Sequence, residues 1–120
     1  MFQVELKLDI KPTQLNIDTA ISMGLIVNEL LTNAFKYAFP NNNLGLIEVI
    51  LYKSMDDDNL HLIIRDNGVG IPENIDFKAT ASLGLRLVRI MTQQLRASLD
   101  LSCSSGTSFH FTLNPKLCKT

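Results

Sequence analysis

The sequence predicts an α/β fold of the α+β sandwich type, with helices packed on one face of a mixed, largely antiparallel sheet. Three observations predict it. Short stretches of alternating or β-branched residues occur at both ends and in the middle of the chain. Two longer stretches carry apolar residues at helical spacing. Neighbouring strand stretches are mostly separated by short turns, which joins them as hairpins and leaves the helices to one side.

Val4, Leu6, Leu8 and Ile10 alternate with Glu5, Lys7 and Asp9, the pattern of a half-buried strand ended by Pro12. From Asp18, read as an N-cap, to about Ala38, the residues Ile21, Leu25, Val27, Leu30, Leu31, Ala34 and Phe35 recur at helical spacing. Pro40 and three asparagines stop that helix. Leu46 to Tyr52 and Leu60 to Arg65 form a hairpin around Asp56-Asp57-Asp58-Asn59. Ser82 to Ala97 is a second helix, with Leu83, Leu87, Val88, Met91 and Leu95 on its apolar side. Ser98–Ser104 and Thr107–Leu113 close the chain as two strands around Ser105-Gly106.

The 120 residues suit a single domain over 1–120. A net charge of −1 supplies no positive excess for nucleic acid or an anionic membrane surface. With 46% apolar and 19% charged residues the chain has the composition of a folded domain, not a disordered tail. The apolar run Ile21–Leu31 is interrupted by Asn28 and Glu29 and is too short for a bilayer span. No secretory pattern opens the chain, so a cytoplasmic location is expected. Cys103 and Cys118 lack metal-ligand spacing and read as reduced bystanders.

Four short polar features stand out. Glu29, Asn33 and Lys36 or Tyr37 share one stripe of the first helix. The stripe fits either the wet edge of a surface helix or a site for a metal-bound polyphosphate, since an amide oxygen and a carboxylate are hard ligands for Mg²⁺ and Lys36 meets phosphate charge. Asp66-Asn67-Gly68-Val69-Gly70 ends a strand whose alternation puts Asp66 on the face of Leu60, Leu62 and Ile64. A carboxylate there wants a donor such as a purine amine, and Gly68 and Gly70 let the backbone approach a flat ligand. The competing reading is an Asn-Gly hairpin turn. Ser82-Leu83-Gly84-Leu85 passes from loop to helix, where unpaired N–H groups favour phosphate. Gly106-Thr107, taken alone, is only a turn.

In this order, Asn28-Glu29-Leu30-Leu31-Thr32-Asn33-Ala34-Phe35-Lys36-Tyr37, Asp66-Asn67-Gly68-Val69-Gly70-Ile71-Pro72, Ser82-Leu83-Gly84-Leu85 and Gly106-Thr107 resemble the ATP-binding catalytic domain of sensor histidine kinases. The resemblance covers nearly the whole chain and implies the Bergerat fold shared with gyrase-type topoisomerases, Hsp90 chaperones and MutL proteins. It implies that Asn33 holds Mg²⁺, that Glu29 orders metal-bound water or polarises a reacting group, and that Lys36 contacts phosphate while Tyr37 packs near the nucleotide. It further implies that Asp66 accepts the adenine amine, that Gly68 and Gly70 shape the adenine floor, and that Thr107 completes the adenine contacts. The resemblance implies too that Ser82, Leu83, Gly84 and Leu85 close on the phosphates and that Ile71 to Ala81 form a lid.

Glu29 stands where common histidine kinases carry Asn, and the short lid lacks a Phe-rich segment. Both features resemble the subgroup related to the HWE kinases, although Asn28 replaces that subgroup's His and the chain has no Trp. The implied activity is transfer of the ATP γ-phosphoryl to a histidine on a separate dimerisation and phosphoacceptor domain, for relay to a response regulator in a two-component system. His61 and His110, the two histidines present, fall in strands and read as solvent-side residues. The chain is therefore expected to be an excised catalytic domain, monomeric alone and dimeric in its parent, whose membrane attachment stays open. The alternatives are an anti-sigma-factor-type serine kinase, whose helix motif usually continues with His-Gly where this chain has Lys36-Tyr37, a nucleotide-binding pseudokinase module, and, further off, a gyrase- or chaperone-like ATPase.

Overall fold

The computed structural model describes residues 4–35, 45–68, 83–102 and 106–114. Within them the chain forms β1 (Val4–Ile10), α1 (Ile17–Asn33), β2 (Gly45–Lys53), β3 (Leu60–Asp66), α2 (Leu83–Gln94), β4 (Ser98–Ser102) and β5 (Thr107–Leu113). The strands make one five-stranded sheet in the order β1-β2-β3-β5-β4. β1 runs parallel to β2, because α1 carries the chain back between them, and the other neighbours are antiparallel. The sheet is mixed and largely antiparallel, as expected.

Asn16, not Asp18, caps α1. Its backbone is extended and its Oδ1 accepts the Thr19 N–H at 2.8 Å, whereas Asp18 already lies in the first turn and meets the positive helix end. The helix continues through Ala34 and Phe35 as a wider π-type turn; the rest of its expected length lies outside the described residues. α2 stops at Gln94, earlier than expected, because Arg96 turns left-handed (φ 52°) and the last carbonyls are taken up locally. The Arg96 N–H donates to Gln93 O at 3.0 Å and the Ala97 N–H to Thr92 O at 3.1 Å.

Alternation along β2, β3 and β5 sends one set of side chains beneath the helices. Val49, Leu51, Leu60, Leu62, Ile64, Phe109, Phe111 and Leu113 pack against Met23, Ile26 and Leu30 of α1, Val88 of α2 and Leu95 just after it. Both helices thus share one face of the sheet, and Phe111 at its centre is fully buried. Two expectations need correction. β1 is not half-buried: Leu6, Leu8 and Ile10 are 43%, 61% and 49% exposed, although their register partners Ile47, Val49 and Leu51 are buried. Val4 of this strand packs on the Ala34–Ile47 cluster, while the main core lies beneath the helices over the middle of the sheet. Likewise Ile21, Leu25 and Phe35 of the long helix are exposed, since its buried face is centred on Ile26.

The opposite face carries paired polar side chains on either side of the facing residues Ile50 and Ile63. Arg65 Nε lies 3.1 Å from Glu48 Oε1 across β2 and β3. His61 stacks on Tyr52 with ring centres 4.8 Å apart, and its Nδ1 lies 2.9 Å from His110 Nε2, so one imidazole donates and the other accepts. The two histidines are half-buried residues of this outer face. Burial and the neighbouring His61 push the His110 imidazole below its ordinary range, against the pull of Asp100. Among the described residues no helix is long and apolar enough to cross a membrane. Cys103 and Cys118 lie outside the described residues.

Two stability outcomes follow from these contacts. Gly106, which precedes β5, has φ 93°, and a Cβ there would collide with the main-chain oxygen of Asp66. Gly106→Ala should therefore lower the free energy of unfolding by about 1–3 kcal/mol in urea titrations. Because folding depresses the His110 pKa, the stability it contributes is present above pH 6.5, its ordinary value, and is lost as pH falls through the folded-state pKa. Urea midpoints should drop between about pH 7.5 and pH 5, and less steeply in His110→Asn.

Candidate functional site

Asp66 is the last residue of β3, and its register partners are Ile47 on β2 and Thr107 on β5. It shares the helix-covered face with Leu62 and Ile64 and is half-buried there. Loss of water pushes its carboxyl above the ordinary range, while the amides of Gly68 and Thr107 pull it down. Oδ1 accepts the Gly68 N–H at 2.8 Å. A carboxylate offers about four lone-pair sites, so two main-chain donors leave acceptor capacity for an incoming N–H group.

The residue after it does different work. Asn67 Oδ1 accepts the Leu46 N–H at 2.8 Å, and the Asn67 N–H donates to Leu46 O at 3.2 Å. This reciprocal pair ties the end of β3 to the start of β2. β3 pairs with β2 and β5, so Asn67-Gly68 is no hairpin turn. No role for Asn67 follows from its motif; an Asn at the mouth of a strand, where main-chain groups lose their ladder partners, is the signal that could have shown it. Gly106 was read as a turn glycine, yet its bare Cα is what lets β5 begin against the Asp66 carbonyl. Thr107 is buried beside Asp66.

Glu29 and Asn33 are half-buried and lie one turn apart on α1. The next residue, Ala34, packs on Ile47, the register partner of Asp66. The Asn33 end of α1 therefore stands over the Asp66 end of the sheet. Asp18, Ile21, Ser22 and Leu25 of α1 line a groove with Met91, Gln94 and Leu95 at the close of α2. The helices thus run in opposite senses, which carries the start of α2 at Leu83-Gly84-Leu85 toward the Glu29–Asn33 end. A helix start carries N–H groups without partners inside the helix and a positive dipole end. An acid, a carboxamide–carboxylate pair and a helix N-terminus are gathered at one end of the molecule. Lys36, Tyr37, Gly70, Ile71, Ser82 and the expected lid to Ala81 lie outside the described residues, as do the side chains of Leu83 and Leu85.

Solved and curated proteins bear on this arrangement. The chain is 28% identical to the histidine kinase domain of the Erythrobacter litoralis EL346 blue-light-activated histidine kinase, with a TM-score of 0.89 over 96% of this chain and 53% of that one. It is 36% identical over 86 residues to blue-light-activated histidine kinase 2 of Erythrobacter litoralis (strain HTCC2594), an alignment covering 72% of this chain and 25% of the relative. It is also 26% identical over 106 residues to the anti-sigma F factor of Bacillus licheniformis, covering 80% of this chain and 70% of that protein. The chain thus spans about a quarter of the curated kinase it matches at 36% identity. Residues 18–117 match the family model described as histidine kinase-, DNA gyrase B- and HSP90-like ATPase, and the chain, with its Asp66 strand end and Glu29–Asn33 helix, belongs to that family.

Proposed function

We propose that this chain is a single domain that binds ATP with Mg²⁺ and acts as the catalytic domain of a two-component sensor histidine kinase. The observation that carries the reading is a half-buried carboxylate, Asp66, at the sheet end over which the Glu29–Asn33 turn of α1 stands. Asp66 accepts the exocyclic amine of adenine. Gly68 and Gly70 admit the ring, Ile71 flanks it, and Thr107 completes the contact from β5. Asn33 holds Mg²⁺ through its amide oxygen and Glu29 holds or orders a water beside it; both are hard oxygen donors of the kind that ion takes. The ion's other ligands would come from phosphate and water.

Bound magnesium supplies charge neutralisation of the phosphates. The chain's own residues supply the rest. Lys36 adds a positive charge, Tyr37 packs at the nucleotide, and Ser82, Leu83, Gly84 and Leu85 bring the α2 N-terminus to the phosphates. Phosphoryl transfer depends mainly on positioning and charge, so the site needs an acceptor histidine presented in line from a separate domain, followed by a response regulator. His61 and His110 bond to each other on the far face of the sheet and are not that acceptor. The serine-kinase alternative is less favoured: the match to the anti-sigma F factor is 26% against 36% for the blue-light kinase, and Lys36-Tyr37 replaces that group's His-Gly. The domain is expected to work in the cytoplasm.

Calorimetry should detect MgATP binding to the wild-type chain, weakened by removal of Mg²⁺ and by at least about tenfold in Asp66→Asn, where a hydrogen-bond acceptor becomes a donor facing the amine. Unchanged affinity in that variant defeats the adenine assignment. With γ-labelled ATP alone, the chain should retain no acid-labile label, and transfer should require an added phosphoacceptor hairpin.

A further inference from the structure

β1 is the edge of the sheet, and among the described residues nothing pairs with its outer side. The Lys11 N–H bonds to Leu51 O at 2.9 Å, so the main-chain groups of Lys11, Asp9, Lys7 and Glu5 point inward to β2. Those of Val4, Leu6, Leu8 and Ile10 point to the open edge. The same strand exposes Leu6, Leu8 and Ile10 on the helix side of the sheet. An open ladder with an exposed apolar row is a template for another strand.

The charge pattern selects the strand. Glu5, Lys7, Asp9 and Lys11 lie on the outer face in the order minus, plus, minus, plus. If two copies of β1 meet antiparallel about Leu8, Lys7 faces Asp9 of the other copy and Glu5 faces its Lys11, and two-fold symmetry repeats both pairs. Leu8 then faces Leu8 and Leu6 faces Ile10, which continues the apolar layer through the join. Moving the axis by one residue, to Lys7, would oppose lysine to lysine and Glu5 to Asp9. Moving it two residues, to Leu6, keeps only the Glu5–Lys7 pairs. The present Lys11–Asp9 contact within one copy, 3.3 Å long and more than half exposed, is a weak bond to exchange.

We propose that the open edge of β1 is an interface for a second copy of this chain, paired antiparallel about Leu8 to make one continuous ten-stranded sheet. The interface uses none of Glu29, Asn33 or Asp66, so it stands or falls apart from the nucleotide reading. Sedimentation equilibrium of the full 120-residue chain should show a monomer–dimer equilibrium with no larger species. Lys7→Glu, which places like charges opposite Asp9 twice, should weaken the dimer by about tenfold or more while circular dichroism stays unchanged. In a chain with Cys103→Ser and Cys118→Ser, Leu8→Cys should oxidise to a covalent dimer, since facing Cα atoms in this pairing lie about 5.5 Å apart; Lys7→Cys should not. A chain that stays monomeric, a dimer indifferent to Lys7→Glu, or cross-linking at residue 7 in place of residue 8 overturns the proposal. The cysteine readout decides the matter even if Lys7→Glu fails to fold.

Discussion

The constraint on which the described structure turns is a carboxylate taken partly out of water at the end of an apolar strand. Asp66 follows Leu60, Leu62 and Ile64 on the face that the helices cover, and its raised pKa reflects that loss of hydration. Such a group is tolerated only with donors at hand. The main-chain amides of Gly68 and Thr107 supply them, and each requires a particular backbone path. β5 must start hard against β3, which only a residue without Cβ at Gly106 allows. β3 must end firmly on β2, which the Asn67–Leu46 pair ensures. The polar residues around Asp66 thus form one local solution to one desolvated charge.

The remainder of the sheet is divided by face. Beneath the helices the rows are aliphatic and aromatic, and burial there supplies the main favourable contribution to folding. The other face carries two polar pairs, Glu48 with Arg65 and His61 with His110, each spanning neighbouring strands, on either side of Ile50 and Ile63. This division places the ligand-facing chemistry where strand ends and helix ends meet. The covering helices stop short of β1, so the same arrangement leaves one apolar edge strand open.

Family membership and the geometry bear on different questions. Histidine kinases and an anti-sigma factor are both among the similar sequences, so the scaffold alone does not choose the acceptor of a phosphoryl group. What the geometry contributes is the joint placement of Asp66, Asn33 and Glu29 at one end of the sandwich. Residues more than thirty positions apart in the chain are brought to the same end because Ala34 rests on Ile47 and Ile47 pairs with Asp66.

Much of this was legible in the residues themselves. Alternation located β1, β4 and β5, β-branched and apolar runs flanking a turn located β2 and β3, and the Asp66 side of β3 was readable because strand side chains switch faces at every residue. Two helices and the hairpin through Asp56–Asn59 were equally plain, since turn chemistry and apolar spacing are local properties. Depth was not legible. Leu6, Leu8 and Ile10 alternate as well as Leu60, Leu62 and Ile64 do, yet the first set is exposed and the second buried. The residues offer Asp18 as the cap, whereas Asn16 takes that place in the fold, and Gly106 reads as a turn glycine. Local pattern determines which face a side chain takes; only the tertiary structure decides whether anything covers that face, because cover comes from elements distant in sequence whose positions are set by the packing of the whole sandwich.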